Sequence, residues 1–148
     1  MGKILLLFGM FLCFSSCDWN ASTDTFNSSR SLRVEFVGPS VTTILNTKGT
    51  ATLFAVSEML ADASATEIST VEFDAKAVPF NVDFEIPKNH RKLIQPEVKK
   101  GEAVQYYVAL EWDSNGDGET AEGDVMIDYD KRFPNVEMSK DTQRVFVK

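Results

Sequence analysis

Hydrophobic and polar residues alternate with a period of two over most of the chain after residue 31. Leu32, Val34 and Phe36 alternate with Arg33 and Glu35, which predicts a half-buried strand ended by Gly38-Pro39-Ser40. The most regular run is Val78–Ile86: Val78, Phe80, Val82, Phe84 and Ile86 fall on one face, Asn81, Asp83 and Glu85 on the other, and Pro87 stops it. Ala103–Trp112 repeats the pattern with Val104, Tyr106, Val108, Leu110 and Trp112, and Val125–Asp130 with Val125, Ile127 and Tyr129. Further strands are expected at Thr50–Ser57, Ile68–Asp74 and Thr142–Val147, with a short one at Val41–Leu45. Leu53, Phe54 and Val56 in Thr50–Ser57 suggest burial on both faces. Glu58–Glu67 reads as a loop with room for one helical turn, and Lys131–Asp141 as a turn region. Seven or eight strands, frequent turn signals and no sustained helical period predict an all-β chain folded as an antiparallel β-sandwich.

The first residues follow a different pattern. Met1-Gly-Lys3 is a short positive start, Ile4–Phe14 is almost wholly apolar, and Ser15-Ser16-Cys17 closes the run. The apolar stretch is too short to span a bilayer as a helix and has the order of a secretory signal. Phe14-Ser15-Ser16-Cys17 is similar to a bacterial lipobox, in which the cysteine is lipidated and becomes the first residue of the mature chain. It departs from that pattern at Phe14, where Leu is usual. The alternative is an ordinary secreted chain with Cys17 as an incidental thiol. Cys13, the other cysteine, lies inside the apolar run and would be removed, so Cys17 has no disulfide partner. The expected organisation is a lipoprotein signal peptide over 1–16, a Ser/Thr/Asn-rich tether over 17–31 and a β-sandwich over 32–148. The expected address is the cell envelope, with a lipid anchor in the outer membrane as the membrane contact.

Over 148 residues the formal charge is −7. An acidic surface argues against nucleic acid as a partner and against adhesion to anionic lipid through basic patches. Lys88–Gly101 runs against this balance, with Lys88, His90, Arg91, Lys92, Lys99 and Lys100. It reads either as a solvated crossover loop or as a partner-binding patch.

Candidate chemistry centres on Asp113-Ser-Asn-Gly-Asp-Gly-Glu-Thr-Ala-Glu-Gly-Asp124. Asp113, Asn115 and Asp117 stand at the alternate positions from which a chain presents oxygens to Ca²⁺. Gly118 takes the turn, Glu119 offers its carbonyl, and Asp124 closes the shell. The last ligand departs from the helix-loop-helix pattern, which places a Glu there. Asn115-Gly116 and Asp117-Gly118 are also strong turn signals in their own right, so a soluble hairpin tip is the competing reading. A site built from one short segment is expected to be structural, stiffening a hairpin between Trp112 and Val125.

Elsewhere the chemistry is sparse. His90, the single histidine, has no triad or zinc-ligand pattern near it and reads as a surface residue. Asp83 and Glu85 share the polar face of a strand and are expected to face solvent. Tyr107 and Trp112 could form a sugar-stacking platform if exposed, against core packing for Trp112. No enzymatic activity is expected.

Three segments carry a family resemblance: Phe54-Ala-Val-Ser-Glu-Met-Leu-Ala-Asp62, Val78-Pro-Phe-Asn-Val-Asp-Phe-Glu-Ile-Pro87 and Tyr106-Tyr-Val-Ala-Leu110, with a later match around Asp128–Pro134. In this order they resemble the YbaY/YscW-type lipoproteins, which include small β-sandwich pilotins of type III secretion. The acidic loop departs from that family by lengthening a hairpin that is usually short. The resemblance implies a lipid-anchored protein that binds another envelope protein and has no active site.

Overall fold

The computed structural model describes residues 29–39, 43–59, 62–140 and 142–148. Strands and helix follow in the order β1 (Arg30–Val37), β2 (Lys48–Ser57), β3 (Thr66–Asp74), β4 (Phe80–Ile86), α1 (His90–Leu93), β5 (Val104–Glu111), β6 (Asn135–Val136) and β7 (Thr142–Phe146). They form two sheets, one ordered β4-β1-β7 and the other β3-β2-β5-β6. The chain is the all-β sandwich that its period-two pattern predicts. One pair breaks the antiparallel rule, because β7 runs parallel to β1. β1 begins at Arg30, inside the stretch assigned to the tether.

Alternation along each strand sets the layers. Leu32, Val34 and Phe36 of β1 face Phe80, Val82, Phe84 and Ile86 of β4 in one sheet. Ala51, Leu53 and Ala55 of β2 adjoin Tyr106 and Val108 of β5 in the other. All of them are buried, so the two inner faces make one core. On the outer face of the three-stranded sheet, cross-strand pairs are charged. Arg33 donates through Nε and Nη2 to the two oxygens of Asp83 at 2.8 and 2.9 Å, and Arg144 Nε donates to Glu35 Oε2 at 2.8 Å. Asp83 therefore faces solvent as half of an ion pair. Such exposed pairs favour register more than they add stability.

An aromatic cluster bridges the sheets. Phe36 of β1 stacks on Phe80 of β4 with ring centroids 4.8 Å apart, and Phe80 stacks on Phe73 of β3 at 4.8 Å. Trp112, just past β5, meets both Phe73 and Phe80 edge-on at 5.2 Å. Its indole Nε1 donates to the Asn46 carbonyl at 2.7 Å, so its polar edge is satisfied although the ring is 1% exposed. Trp112 is a core residue. Space at the cluster is set by Gly49 of β2: a Cβ there would run into the Phe73 ring and stand 2.9 Å from Cγ of Trp112.

Five expectations change. Val125–Asp130 is not a regular strand: Ile127 makes one isolated bridge to Val147, Met126 and Lys148 exchange backbone hydrogen bonds, and Tyr129 lies exposed. The acidic loop is consequently not a hairpin turn. It carries the chain from β5 in the larger sheet to the edge of β7 in the smaller one, and β5 pairs instead with the two residues of β6. The turn region over 131–141 contains that β6, and Lys88–Gly101 contains the one-turn α1. At Val41–Leu45, residues 41 and 42 lie outside the described residues and 43–45 are not strand.

Gly49→Ala is expected to lower stability by about 1–3 kcal/mol through overpacking, and Trp112→Ala by about 3–5 kcal/mol through cavity formation. Urea unfolding followed by far-UV circular dichroism measures both. Values within about 0.5 kcal/mol of wild type, the range of an ordinary surface substitution, would contradict the role given to the cluster.

Candidate functional site

Two surfaces merit attention, and they occupy different places: the acidic loop beyond β5 and the outer face of the larger sheet.

In the loop, side-chain oxygens close a chain of small turns. Asp113 Oδ1 accepts from the N–H groups of Gly116 and Asp117 at 2.8 and 3.1 Å, and Oδ2 accepts from Gly118 at 3.0 Å. Asn115 Oδ1 accepts from the Asp117 N–H at 2.9 Å, and Asn115 Nδ2 donates to Asp117 Oδ2 at 2.9 Å. Asp117 Oδ1 accepts from the Glu119 N–H at 2.9 Å. Gly116 and Gly118 have φ of 74° and 94°, the left-handed conformation that glycine adopts without strain. The structure thus brings Asp113, Asn115 and Asp117 together as acceptors for turn N–H groups, and Glu119 takes part through its N–H, a donor, and not through the carbonyl expected of it.

Asp124 does something else. It is 8% exposed, and its oxygens are taken up by protein donors. Oδ1 accepts from the Ser114 hydroxyl at 3.2 Å and the Asn115 N–H at 3.0 Å, and Oδ2 accepts from the Ala121 N–H at 3.0 Å. The buried Ser114 Oγ also accepts from the Val125 N–H at 2.9 Å, while its carbonyl accepts from Leu45 N–H at 2.9 Å. Ser114 and Asp124 therefore clasp the two ends of the loop together and fasten it to the segment before β2. Desolvation pushes the Asp124 carboxyl upward, but the N–H groups of Ala121 and Asn115 and the Ser114 hydroxyl outweigh it and hold the pKa below the ordinary value. The pattern at 113, 115, 117 and 124 was legible from spacing; the role of Ser114 was not, because a serine beside an aspartate carries no signal of burial. Among the described residues, no three Asp, Glu, His or Cys side chains converge as a metal-holding group.

The outer face of the larger sheet carries an aromatic row. Phe54 of β2 and Tyr107 of β5 are cross-strand partners, stacked with centroids 5.5 Å apart. Tyr107 meets Phe133 edge-on at 5.7 Å, and Phe133 lies 5.9 Å from Tyr129. The last two rings are 46% and 57% exposed. Beside them runs an open groove of about 510 Å³, floored by Val56 and Gln105 and bounded by Glu58, Ala63 and Ala65. The expectation that Thr50–Ser57 is covered on both faces is explained here: Leu53 points to the core, and Phe54 and Val56 lie under this row. Sequence reading singled out Tyr107 alone. Phe54 on the polar face of its strand was a usable signal, while Phe133 and Tyr129 join the row only through the folded path of 125–136.

The remaining candidates resolve simply. His90 is half-buried, with Nδ1 2.8 Å from the Pro87 carbonyl and its ring 5.7 Å from that of Tyr106, so it packs rather than standing free on the surface. Trp112 is no sugar platform, being buried in the core. Cys17 lies outside the described residues. Among those described, no helix is long and apolar enough to cross a membrane.

No protein-family model matches the chain, and no curated protein matches it. Among solved structures it is similar to an alternative pilotin from the type II secretion system of Vibrio cholerae, with 14% sequence identity, a TM-score of 0.50, and coverage of 80% of this chain and 95% of that one. The two share a pilotin-like fold.

Because the folded-state pKa of Asp124 lies below its unfolded value, its contribution to stability is full above about pH 4, the ordinary Asp range, and is lost as pH falls through the lowered value. Asp124→Asn replaces acceptor capacity with an N–H facing other donors and is expected to lower stability at pH 7 by about 1–3 kcal/mol. It should also flatten the acid limb of the stability curve. Thermal unfolding of both forms across the acid range measures this, and an unchanged acid limb would exclude Asp124 as the titrating clasp.

Proposed function

We propose that the protein is a non-enzymatic, lipid-anchored component of the bacterial cell envelope, held in the outer membrane through Cys17, that binds another envelope protein through the aromatic row. The observation that carries this reading is the exposed ring pair Tyr129 and Phe133, continuous with Tyr107 and Phe54 and bordering an open groove. Contiguous exposed aromatic surface is what protein interfaces use as anchors. The pilotin fold supports the same reading, since the Vibrio cholerae neighbour is a secretion-system pilotin. A carbohydrate platform built on Tyr107 or Trp112 fits less well: Trp112 is buried, and Tyr107 has Phe54 stacked on it and Phe133 at its edge.

Tyr129→Ala and Phe133→Ala are each expected to weaken capture of the partner from detergent-solubilised envelope at least about tenfold, as truncation of an interface anchor does. The thermal midpoint should stay near wild type, because both rings lie outside the core. Capture of a specific protein that is indifferent to both substitutions would overturn the assignment of this face.

We propose in addition that the acidic loop takes Ca²⁺ as a structural ion. Its donors are hard oxygens, the chemistry calcium selects. Asp113, Asn115 and Asp117 would hold it with the Glu119 carbonyl, and Asp124 would enter only through a lone pair left beside its bond from Ala121. Such an ion would stiffen the crossing between the sheets, adding about 2.7 kcal/mol at a free concentration a hundredfold above the dissociation constant. Calorimetric titration is expected to give heat with wild type and none with Asp117→Ala. No heat and no shift in melting temperature at millimolar calcium would remove the ion and leave the clasp made by protein groups alone.

A further inference from the structure

Strand register lays out the outer face of the larger sheet as cross-strand rows. Glu67, Phe54 and Tyr107 share one row, Thr70, Thr52 and Ala109 the next, and Glu72, Thr50 and Glu111 the third, with Asp74 opposite Lys48 beyond them. The first row is the aromatic one, with Phe133 and Tyr129 continuing it and the groove floored by Val56 and Gln105 beside it. The second row is low. Thr52 and Thr70 bring their hydroxyl oxygens within 3.1 Å of each other, Thr70 donates to Glu67 Oε1 at 2.7 Å, and Ala109 adds only a methyl group. A shallow trough of small side chains therefore runs from the rings to the third row.

The far end of this face is acidic. Glu72, Asp74 and Glu111 are exposed, and among the described residues none of them is held in an ion pair; Lys48 makes none with Asp74 across the strands. Glu111 leads into the acidic loop, which adds Asp113, Asp117, Glu119 and Glu122 and no base, and which is fastened at this end by the Leu45 N–H to the Ser114 carbonyl. Against these acids stand Lys48 and, in the connection after β3, Lys76. The basic residues beside the rings are engaged elsewhere. Lys131 Nζ lies 4.1 Å from the centre of the Phe146 ring, and Arg132 lines the cleft of Glu35 and Glu137. An open hollow of about 430 Å³ lies at the acidic end, lined by Lys48, Thr50, Glu72, Phe73 and Asp74. Phe73, half-buried, gives it an apolar wall, and Glu72 and Asp74 give it carboxylates, a combination that suits an aliphatic stem with a cationic head.

We propose that the partner of this face is a polypeptide segment with apolar side chains at one end and Arg or Lys at the other. The apolar end lies in the groove against Tyr107, Tyr129 and Phe133, and the cation enters the hollow between Glu72 and Asp74. The proposal rests on the reading of the aromatic row as a protein interface and adds the partner's charge. Tyr107 and Glu111 belong to one strand, and the four steps between them cover about 13 Å, so both features lie within reach of a single short segment. Carboxylates without partners on an open sheet face select complementary charge, and an anionic surface would be repelled. A second copy laid face to face would set acids against acids or against the rings. Exposed charge pairs add little affinity singly, so the acids choose among apolar segments that the rings alone would accept.

The test selects random peptides displayed on phage against the full chain in detergent at low salt. Enriched peptides are expected to combine apolar or aromatic residues with Arg or Lys, and to lose the basic residues when selected on the combined variant Glu72→Gln, Asp74→Asn and Glu111→Gln. Binding of the same peptides, made synthetically, should fall at least about tenfold on that variant and on Phe133→Ala. It should also weaken as salt shortens the Debye length from about 10 Å at 0.1 M to 3 Å at 1 M. The three substituted acids are exposed, so the thermal midpoint should stay near wild type. Apolar peptides that depend on Phe133 but bind the combined variant as well as wild type would overturn the cationic partner and leave the aromatic row as an interface. Basic peptides that depend on the three acids and not on Phe133 would overturn the joined site and count against the row. Enrichment that depends on neither, or no enrichment, would overturn both.

Discussion

The structure depends on one packing constraint, the interlock of Trp112 with Phe73 and Phe80 across the two sheets. Phe36 and Phe80 come from the three-stranded sheet, Phe73 from the four-stranded one, and Trp112 from the end of β5. Their mutual distances fix the separation and offset of the layers. The indole then ties Asn46 through its N–H, which holds the segment before β2 in place. Gly49 is the complement of this arrangement, because only a residue without Cβ lets the strand approach the rings. Two residues past Trp112, Ser114 begins the clasp with Asp124 that turns the chain from one sheet to the other. Core packing and the acidic loop are thereby mechanically joined.

That join gives the loop its meaning. A buried carboxylate is costly unless donors surround it, and Asp124 is surrounded by Ser114, Asn115 and Ala121. Asp113 serves the N-terminal half of the loop in the same way, with three backbone N–H groups. Sequence spacing of acids that suggests an ion is here also the spacing of side chains capping successive turns. Both uses draw on one property, the demand of a tightly curved backbone for acceptors.

Much of the fold was legible because strand periodicity is a direct image of burial. β4 is the clearest example: every residue that the alternation placed inside is buried, and its polar residues face out. What was not legible came from pairing at a distance. Val125, Ile127 and Tyr129 have the spacing of a strand, and Val125 and Ile127 are indeed buried, but the segment pairs through one isolated bridge to Val147 and a few backbone bonds to Phe146 and Lys148. Tyr129 is consequently left outside, where it joins Phe133. The two-residue β6 is too short to carry a pattern. The partner of Phe54 is Tyr107 because of the β2–β5 register, which no local window contains. The calcium-type spacing was readable at Asp113, Asn115 and Asp117, whereas the protein-bound state of Asp124 depends on the buried hydroxyl of Ser114.

The functional account rests on the division of the surface into unlike parts. Ion-paired strands cover the smaller sheet, an aromatic row with an open groove lies on the larger one, and an acidic loop follows β5. The aromatic row sets two exposed rings, Tyr129 and Phe133, beside one another and against Tyr107, and it is there that the proposed protein partner would gain from burial. Site-specific photocrosslinking in intact cells tests this most directly, with a benzophenone amino acid placed in turn at position 133 and, on the opposite sheet, at position 83. The account predicts a discrete crosslinked envelope protein from position 133 and none from position 83. Crosslinking from position 83 with none from position 133 would contradict it.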